Sequence, residues 1–244
     1  MKLSYTAIWQ DVIALCRAHG ALIAAVAGVF IFLPGLLSGY LIPQPEPTNL
    51  GQLRMLMVEY LEANWHWILL QGLLAMIGAI AILLLIFSSA GTSVGGALAA
   101  SLPLLVSYFL GNLIAGLITC LGLLLLIVPG LYLFGRLAPL GAVIVAENRR
   151  NPIDAIARTF QLTKGKGWAI LGLLIVIGIA AVIVMSVVNT LLGLIFVLAA
   201  GQELGRLLTL IVMSATSTAF SVLFILLYAA LYRRLSPRES AAFD

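Results

Sequence analysis

The stretch ILLQGLLAMIGAIAILLLIF, Ile68 to Phe87, contains a single polar side chain, that of Gln71. It lies inside a longer segment, Ala63 to Gly135, that holds no Asp, Glu, Lys or Arg over 73 residues. A membrane-spanning helix needs about 20 apolar residues. The segment is therefore long enough for three spans, and lipid must solvate it.

The composition of the whole chain leads to the same class. Hydrophobic residues make up 63% and charged residues 9% of the sequence, whereas a soluble domain carries about 25% charged residues. Leu, Ala and Ile dominate without the alternating polarity of barrel strands, so the spans are predicted to be helical. We expect an all-α integral membrane protein that forms one polytopic domain over residues 1–244.

Prolines, glycines and charged residues divide the chain into six predicted transmembrane helices. The predicted spans are about 20–42, 68–87, 104–128, 131–146, 168–189 and 207–232. Amphipathic helices are predicted in the membrane interface at 4–17, 50–63, 93–101, 152–163 and 191–206. Pro129 and Gly130 are expected to form the turn between the third and fourth spans. Leu191 to Ala200 is assigned to the interface because ten apolar residues are too few to cross.

The distribution of basic residues favours this arrangement. An even number of spans puts both termini on one side of the membrane, and ten of the 13 Lys and Arg residues then share that side. Cytoplasmic loops are enriched in Lys and Arg, so this side is predicted to be cytoplasmic. The ten are Lys2, Arg17, Arg149, Arg150, Arg158, Lys164, Lys166, Arg233, Arg234 and Arg238.

Arg136 lies in an otherwise apolar part of the predicted fourth span, about 9 Å below the outer turn by helix rise. It could contact a lipid or a solute, extend its long stem to the outer headgroups, or satisfy a backbone carbonyl freed by the nearby proline. Thr119 is expected at similar depth and Asn112 nearer the midplane. With Arg136, the candidate lipid or solute contacts are Asn112, Thr119 and Asn189, although amides inside membranes more often join helices.

The only dense cluster of charge runs from Glu147 to Trp168. Asn151 as N-cap, Pro152 at the first position and Asp154 in the first turn predict a helix, and its apolar stripe is expected to lie on the membrane. The basic residues of the cluster form a candidate surface for anionic lipid headgroups, although the positive-inside rule alone would also place them there. They are Arg149, Arg150, Arg158, Lys164 and Lys166.

The sequence offers no arrangement typical of an enzyme. His19 and His66 fall on opposite sides of the predicted membrane, and the carboxylates lie at span ends or in loops. Phosphate-binding loops, nucleophile elbows and zinc motifs are missing from the sequence. No catalytic residue, metal or cofactor is therefore predicted, and nucleic acid is not an expected partner.

The region from Pro129 to Lys166 resembles the glycerophosphoryl diester phosphodiesterase membrane-domain family and the related YciC-like uncharacterised bacterial membrane proteins. The matching residues are Pro129, Gly130, Tyr132, Arg136, Pro139, Glu147, Ala155, Arg158, Leu162, Thr163 and Gly165, with Thr159 where the family commonly has serine. The resemblance covers about 40 residues and implies a bacterial inner (plasma) membrane protein of about six helices. The phosphodiesterase activity in the family name belongs to a fused catalytic domain and is not carried over.

We therefore expect a non-enzymatic, multi-pass inner-membrane protein that binds lipids or acts as a membrane partner or scaffold. Its expected partners are membrane lipids, with other membrane proteins or a second copy of the chain as further candidates. The alternative is a transporter or channel for a small solute, in which Arg136, Asn112 and Asn189 would line a cavity.

Overall fold

The computed structural model describes residues 4–42, 49–88 and 93–236, and within these ranges the regular secondary structure is helical. Lys2 and Arg238, two of the cations assigned to the cytoplasmic side, lie outside the described residues. The helices are α1 (Tyr5–Ala27), α2 (Leu33–Leu41), α3 (Leu50–Phe87), α4 (Val94–Leu125), α5 (Ile127–Leu137), α6 (Leu140–Ala146), α7 (Pro152–Leu162) and α8 (Gly167–Leu235).

Five helical segments are long and apolar enough to cross a membrane. They are Tyr5–Leu41, Gln52–Phe87, Val94–Leu125, Ile127–Ala146 and Gly167–Leu235. The predicted all-α class is confirmed.

The first two helices form one continuous rod. A π-helical turn, Gly28–Phe32, joins α1 to α2, so the predicted interfacial helix 4–17 is not separate from the predicted span 20–42. One buried face runs along α1 through Ile8, Val12, Leu15, Ile23 and Val26, which favours continuing the helix. Pro34, which lacks an amide hydrogen, follows the π-helical turn without ending the rod.

The third and fourth helices also run through their predicted boundaries. The predicted helices 50–63 and 68–87 are both part of α3, and 93–101 and most of 104–128 form α4, which ends at Leu125. The separate interfacial helices in these two regions are therefore a wrong prediction. Ser93 caps α4, accepting a hydrogen bond from the Gly96 amide at 3.1 Å. Pro103 lies inside α4. The helix continues through it, although proline lacks the amide hydrogen that a helix interior uses.

The chain reverses between α4 and α5 at Leu126, whose φ of −158° and ψ of 134° are extended. Pro129 and Gly130 lie in the first turn of α5 and do not form the reversal itself, contrary to the sequence prediction. The early turn of a helix suits proline because the amide hydrogens there have no helical partner. A methyl group on Gly130 would lie 2.5 Å from the Leu123 nitrogen, so this glycine allows α4 and α5 to touch.

The last helix folds into a hairpin at Gly201, where φ is 78° and ψ is 178°. This positive φ favours glycine. Across the bend, a methyl group on Gly205 would lie 2.6 Å from the Cα atom of Val197. Residues 167–200 and 202–235 therefore form two long antiparallel arms.

This hairpin corrects three predicted boundaries. The first arm continues beyond Asn189, where the fifth span was expected to end. Residues 191–206 do not form a separate interfacial helix, because they lie on both sides of the bend. The second arm begins before Leu207, since the helix is uninterrupted up to the single left-handed residue, Gly201.

The most tightly packed part of the molecule is the end that contains α7, the first turns of α1 and both ends of α8, here called the charged end. Arg234 pairs with Asp11 at 2.5 Å and so ties α8 to α1. The rings of Phe87 and Tyr232 lie 5.4 Å apart and join α3 to α8. Residues 79–83, 85–86 and 225–227 supply much of the surrounding buried core.

The α5–α6 segment crosses the two arms of α8 at the charged end. A methyl group on Gly135 would lie 2.6 Å from the Gly167 carbonyl oxygen, which begins the first arm. Glu147 accepts a hydrogen bond at 3.3 Å from the hydroxyl of Tyr232, near the end of the second arm. Gly135 and Glu147 are twelve residues apart, about 18 Å of helix. Because both meet the same end of the α8 hairpin, the segment runs across its arms rather than alongside one of them.

Candidate functional site

The helix α7 forms as its sequence predicts. The Asn151 side chain accepts a hydrogen bond from the Ile153 amide at 3.0 Å, Pro152 is the first helical residue, and Asp154 lies in the first turn. Within the predicted apolar stripe, Ile153 remains 67% exposed while Ile156 is buried against α4, α5 and α6. The helix thus rests on the protein and leaves part of its apolar surface outward.

Arg136 binds the carboxyl-terminal end of α7. Its Nε donates a hydrogen bond to Thr163 Oγ1 at 3.3 Å, and a second guanidinium nitrogen donates to the Phe160 carbonyl oxygen. The Cζ atom also lies 4.6 Å from the centroid of the Phe160 ring and 5.7 Å from that of Tyr132. The last carbonyls of a helix lack intrahelical partners and carry partial negative charge, so a cation is favourable there.

Of the three explanations for Arg136, the structure shows a contact with a backbone carbonyl. The carbonyl that Arg136 contacts is that of Phe160 in α7. It is not a carbonyl freed by the nearby proline in the helix of Arg136 itself. The sequence predicts Arg136 near the outer turn and residues 152–163 on the cytoplasmic surface. These two placements are incompatible, because the side chain of Arg136 joins them directly.

Glu147 forms the centre of an ion cluster that is not predicted from the sequence. It pairs with Arg149 at 2.6 Å and with Arg158 at 2.9 Å, in addition to its bond from Tyr232. Burial would raise the pKa of Glu147, but the hydrogen bonds and charges of Arg158 and Arg149 outweigh it, so the pKa is lower than usual. The cluster links α6, α7 and α8.

The end of α6 orients this cluster. Asn148 has a left-handed φ of 47°, the Arg149 amide donates to the Ile144 carbonyl at 2.9 Å, and the Asn148 amide donates to Val145 at 3.3 Å. This is a Schellman ending, in which asparagine is an accepted left-handed residue. The sequence signal for this ending is Asn148, which lies two residues after the predicted span 131–146. Nothing local in the sequence indicates that Tyr232, 85 residues away, completes the cluster.

The five cations proposed for headgroup binding have different surroundings. Arg149 and Arg158 are paired with Glu147. Arg150, Lys164 and Lys166 have no carboxylate within 4 Å in residues 4–42, 49–88 and 93–236. Arg150 and Lys164 are exposed and Lys166 is half-buried.

Two aromatic rings lie near Lys166, against the residues that follow it. Trp168 follows Lys166 by two residues, is 54% exposed, and packs against Tyr132 in a tilted arrangement with ring centroids 5.5 Å apart. Tyr132 is also one of the rings beside the Arg136 guanidinium. Trp and Tyr are enriched where membranes meet water, together with Lys and Arg.

The remaining candidate residues do not join Arg136. Asn112 donates to the Tyr108 carbonyl of its own helix at 2.8 Å, and Asn189 accepts from the Thr216 hydroxyl of the other α8 arm at 3.1 Å. Thr119 is half-buried in α4. Asn189 lies 22 residues beyond Gly167, which contacts Arg136, and this is about 33 Å along a helix. One small-solute cavity cannot include both Arg136 and Asn189.

Searches against protein-family models, curated proteins and solved structures found no match to this chain. The family resemblance of residues 129–166 therefore stays a prediction. Several residues that carry it are neighbours in the fold: Arg136 contacts Thr163, Thr163 donates to the Thr159 carbonyl at 2.7 Å, and Arg158 pairs with Glu147.

Proposed function

We propose that this chain is a non-enzymatic, multi-pass protein of a bacterial inner membrane whose charged end binds anionic lipid headgroups. The observation that carries the proposal is the difference among the five cations. Two of them neutralise Glu147, whereas Arg150, Lys164 and Lys166 have no acidic partner among the described residues. Uncompensated cations held beside interfacial aromatic rings are suited to phosphatidylglycerol or cardiolipin.

The orientation follows from the same charges. Lys and Arg are retained on the cytoplasmic side, so the charged end is proposed to face the cytoplasm. A basic residue near an anionic membrane surface contributes about 1 kcal/mol of attraction. The role proposed for Arg136 is to hold α7, and with it Lys164, in place rather than to bind the headgroup.

Two double variants with equal loss of charge test this proposal. Lys164→Gln with Lys166→Gln removes two cations at the charged end. Arg54→Gln with Arg206→Gln removes two exposed cations elsewhere, on α3 and beside the α8 bend. Native mass spectrometry of protein released from nanodiscs containing phosphatidylglycerol and phosphatidylcholine measures which lipid is retained.

We expect the first variant to lose at least tenfold in retained phosphatidylglycerol relative to phosphatidylcholine, because two attractions of about 1 kcal/mol exceed the 1.4 kcal/mol that corresponds to a factor of ten. The control variant should match the wild type. Equal retention by all three proteins would refute the lipid-binding surface.

A further inference from the structure

The loop end of the α4–α5 hairpin is the most consistently exposed apolar segment that the structure describes. Leu124, Leu125, Leu126, Ile127 and Val128 are 61–81% exposed. From Leu121 to Gly130 there is no polar side chain. Exposure of this much aliphatic surface to water is unfavourable, at about 25 cal/mol per Å². The tip is therefore suited to a hydrocarbon environment.

Away from the tip, both helices of the hairpin are attached to the charged end. On α5, Tyr132 packs against Trp168, and Arg136 caps α7. On α4, Ala115 packs in one buried cluster with Ile156 of α7. Both legs thus meet α7, close to Lys164 and Lys166, within the part of the molecule proposed to lie at the headgroups.

The distance from this level to the tip is too short for a membrane crossing. Arg136 and Leu126 are ten residues apart, at most about 15 Å of helix. The hydrocarbon core of a bilayer is about 30 Å thick. Since the α5–α6 segment also runs across the arms of α8, the tip projects partly sideways and reaches less depth than this maximum.

The chain reverses at the tip, yet few of the backbone amide and carbonyl groups there are left exposed. The Leu126 amide donates to the Gly122 carbonyl at 3.0 Å, and the Gly130 amide donates to Leu126 at 3.2 Å. Pro129 has no amide hydrogen, which removes another donor from the first turn of α5. Unpaired backbone groups cost several kcal/mol each in hydrocarbon, so these features favour burial in lipid.

We propose that the α4–α5 hairpin lies within one leaflet, entering the membrane from the charged end and returning to it. The chain then crosses the membrane four times, through α1–α2, through α3 and through the two arms of α8. The termini still share one side. This inference rests on the proposed membrane location and replaces the predicted crossings 104–128 and 131–146 with a hairpin inserted in the cytoplasmic leaflet.

Cysteine labelling distinguishes the two arrangements. Cys16 and Cys120 are free, so Cys16→Ser with Cys120→Ser gives a background for single cysteines. Leu126→Cys probes the hairpin tip, Lys164→Cys the charged end and Glu203→Cys the α8 bend. Each variant is exposed to a membrane-impermeant maleimide in intact spheroplasts and again after permeabilisation.

For a hairpin within the cytoplasmic leaflet, Glu203→Cys alone should react in intact spheroplasts, and Lys164→Cys should react only after permeabilisation. Leu126→Cys should resist the reagent on the outer face. A nitroxide attached at position 126 in liposomes should collide with oxygen more than with a water-soluble nickel chelate and lie less than 15 Å from the phosphates of the Lys164 side.

Reaction of Leu126→Cys together with Glu203→Cys in intact spheroplasts would overturn the leaflet hairpin and restore a crossing. A nitroxide with the accessibility of an aqueous site would also overturn it. If Lys164→Cys reacted in intact spheroplasts and Glu203→Cys did not, the proposed orientation would fail instead, so the two failures are distinguishable.

Discussion

Arg136 shows how a cation in an apolar sequence can have a protein partner with no opposite charge. Its guanidinium satisfies the Phe160 carbonyl at the end of α7 and lies against the Phe160 ring. The planar fork of arginine allows hydrogen bonding and ring contact together, which the ammonium of lysine does not reproduce. The side chain therefore stabilises the attachment of α7 to α5.

Substitution Arg136→Leu should destabilise the protein by about 2 kcal/mol, because hydrogen bonds from a charged group are lost and the Phe160 carbonyl is left without this donor. Arg136→Lys should fall between the wild type and Arg136→Leu. Thermal unfolding in detergent measures the change. Arg150→Leu removes an exposed arginine with no acidic partner in the described ranges and should leave the midpoint within 1 °C; equal shifts for both leucine variants would contradict the capping role.

Glu147 gives the charged end a dependence on acid. Its pKa is lowered in the folded protein, so the folded state binds this proton less readily than the unfolded chain. The stabilisation is complete above the ordinary carboxyl value of about 4.3 and is lost as the pH falls through the lower folded value. At neutral pH, Glu147 therefore contributes its full stabilisation through Arg149 and Arg158.

We expect Glu147→Gln to be less stable than the wild type at pH 7 and to lose less additional stability between pH 5 and pH 3. The glutamine amide cannot form ion pairs with Arg149 and Arg158, and it does not titrate. Urea unfolding of the detergent-solubilised protein at several pH values measures both effects. Glu203→Gln serves as an exposed control. A pH profile of Glu147→Gln that runs parallel to the wild type would show that another group causes the acid sensitivity.

At the scale of the elements, close backbone contacts determine how the helices cross. Gly135 of α5 meets the first residue of α8 so closely that a methyl group would lie 2.6 Å from a backbone oxygen and 3.0 Å from Leu171 Cβ. Neither atom belongs to a flexible side-chain end. Gly116 of α4 has no atom within 4 Å of the same position and provides a matched comparison.

Gly135→Ala and Gly116→Ala should therefore have opposite effects. The first should cost about 1–3 kcal/mol, since α5 and α8 must separate, and the second should stabilise by about 0.5–1 kcal/mol because alanine is the better helix former. The free energy of unfolding in mixed micelles measures both. A stabilising or neutral Gly135→Ala would show that α5 and α8 are not in close contact.

At the scale of the whole molecule, tertiary burial is concentrated at the charged end. The side chains from Ile80 to Ile82 in α3 and from Ala229 to Leu231 in α8 are fully buried. The first part of α3 is helical but largely exposed, with Met55 at 65% and Leu61 at 53%. Helical hydrogen bonding is thus similar along α3 while tertiary support is not.

Hydrogen exchange in detergent should reveal this gradient. Peptides covering residues 79–86 and 225–232 should exchange at least tenfold more slowly than a peptide covering residues 52–62, because local opening of the first part of α3 disrupts few tertiary contacts. Mass spectrometry of peptic fragments measures the rates. Uniform protection along α3 would contradict a core located at the charged end.

Local chemistry accounts for what could be predicted about the elements. Asn151 caps α7 where the sequence indicated, since a cap depends on a few adjacent residues, and Ser4 and Ser93 cap α1 and α4 in the same way. The ends of helices were predicted poorly at residues 63–68 and 189–207 above all. Lipid and protein interiors are both apolar, so hydropathy alone does not distinguish a helix that continues from one that stops.

The sequence by itself determined the helical class, the cap of α7 and the concentration of basic residues around that helix, because composition, capping and charge spacing act over short distances along the chain. Only the tertiary structure decided that Arg136 caps α7, that Glu147 pairs with two of the five candidate cations, and that α8 turns at Gly201. Each of these depends on which surfaces meet across many residues of chain, and no local pattern specifies such a meeting.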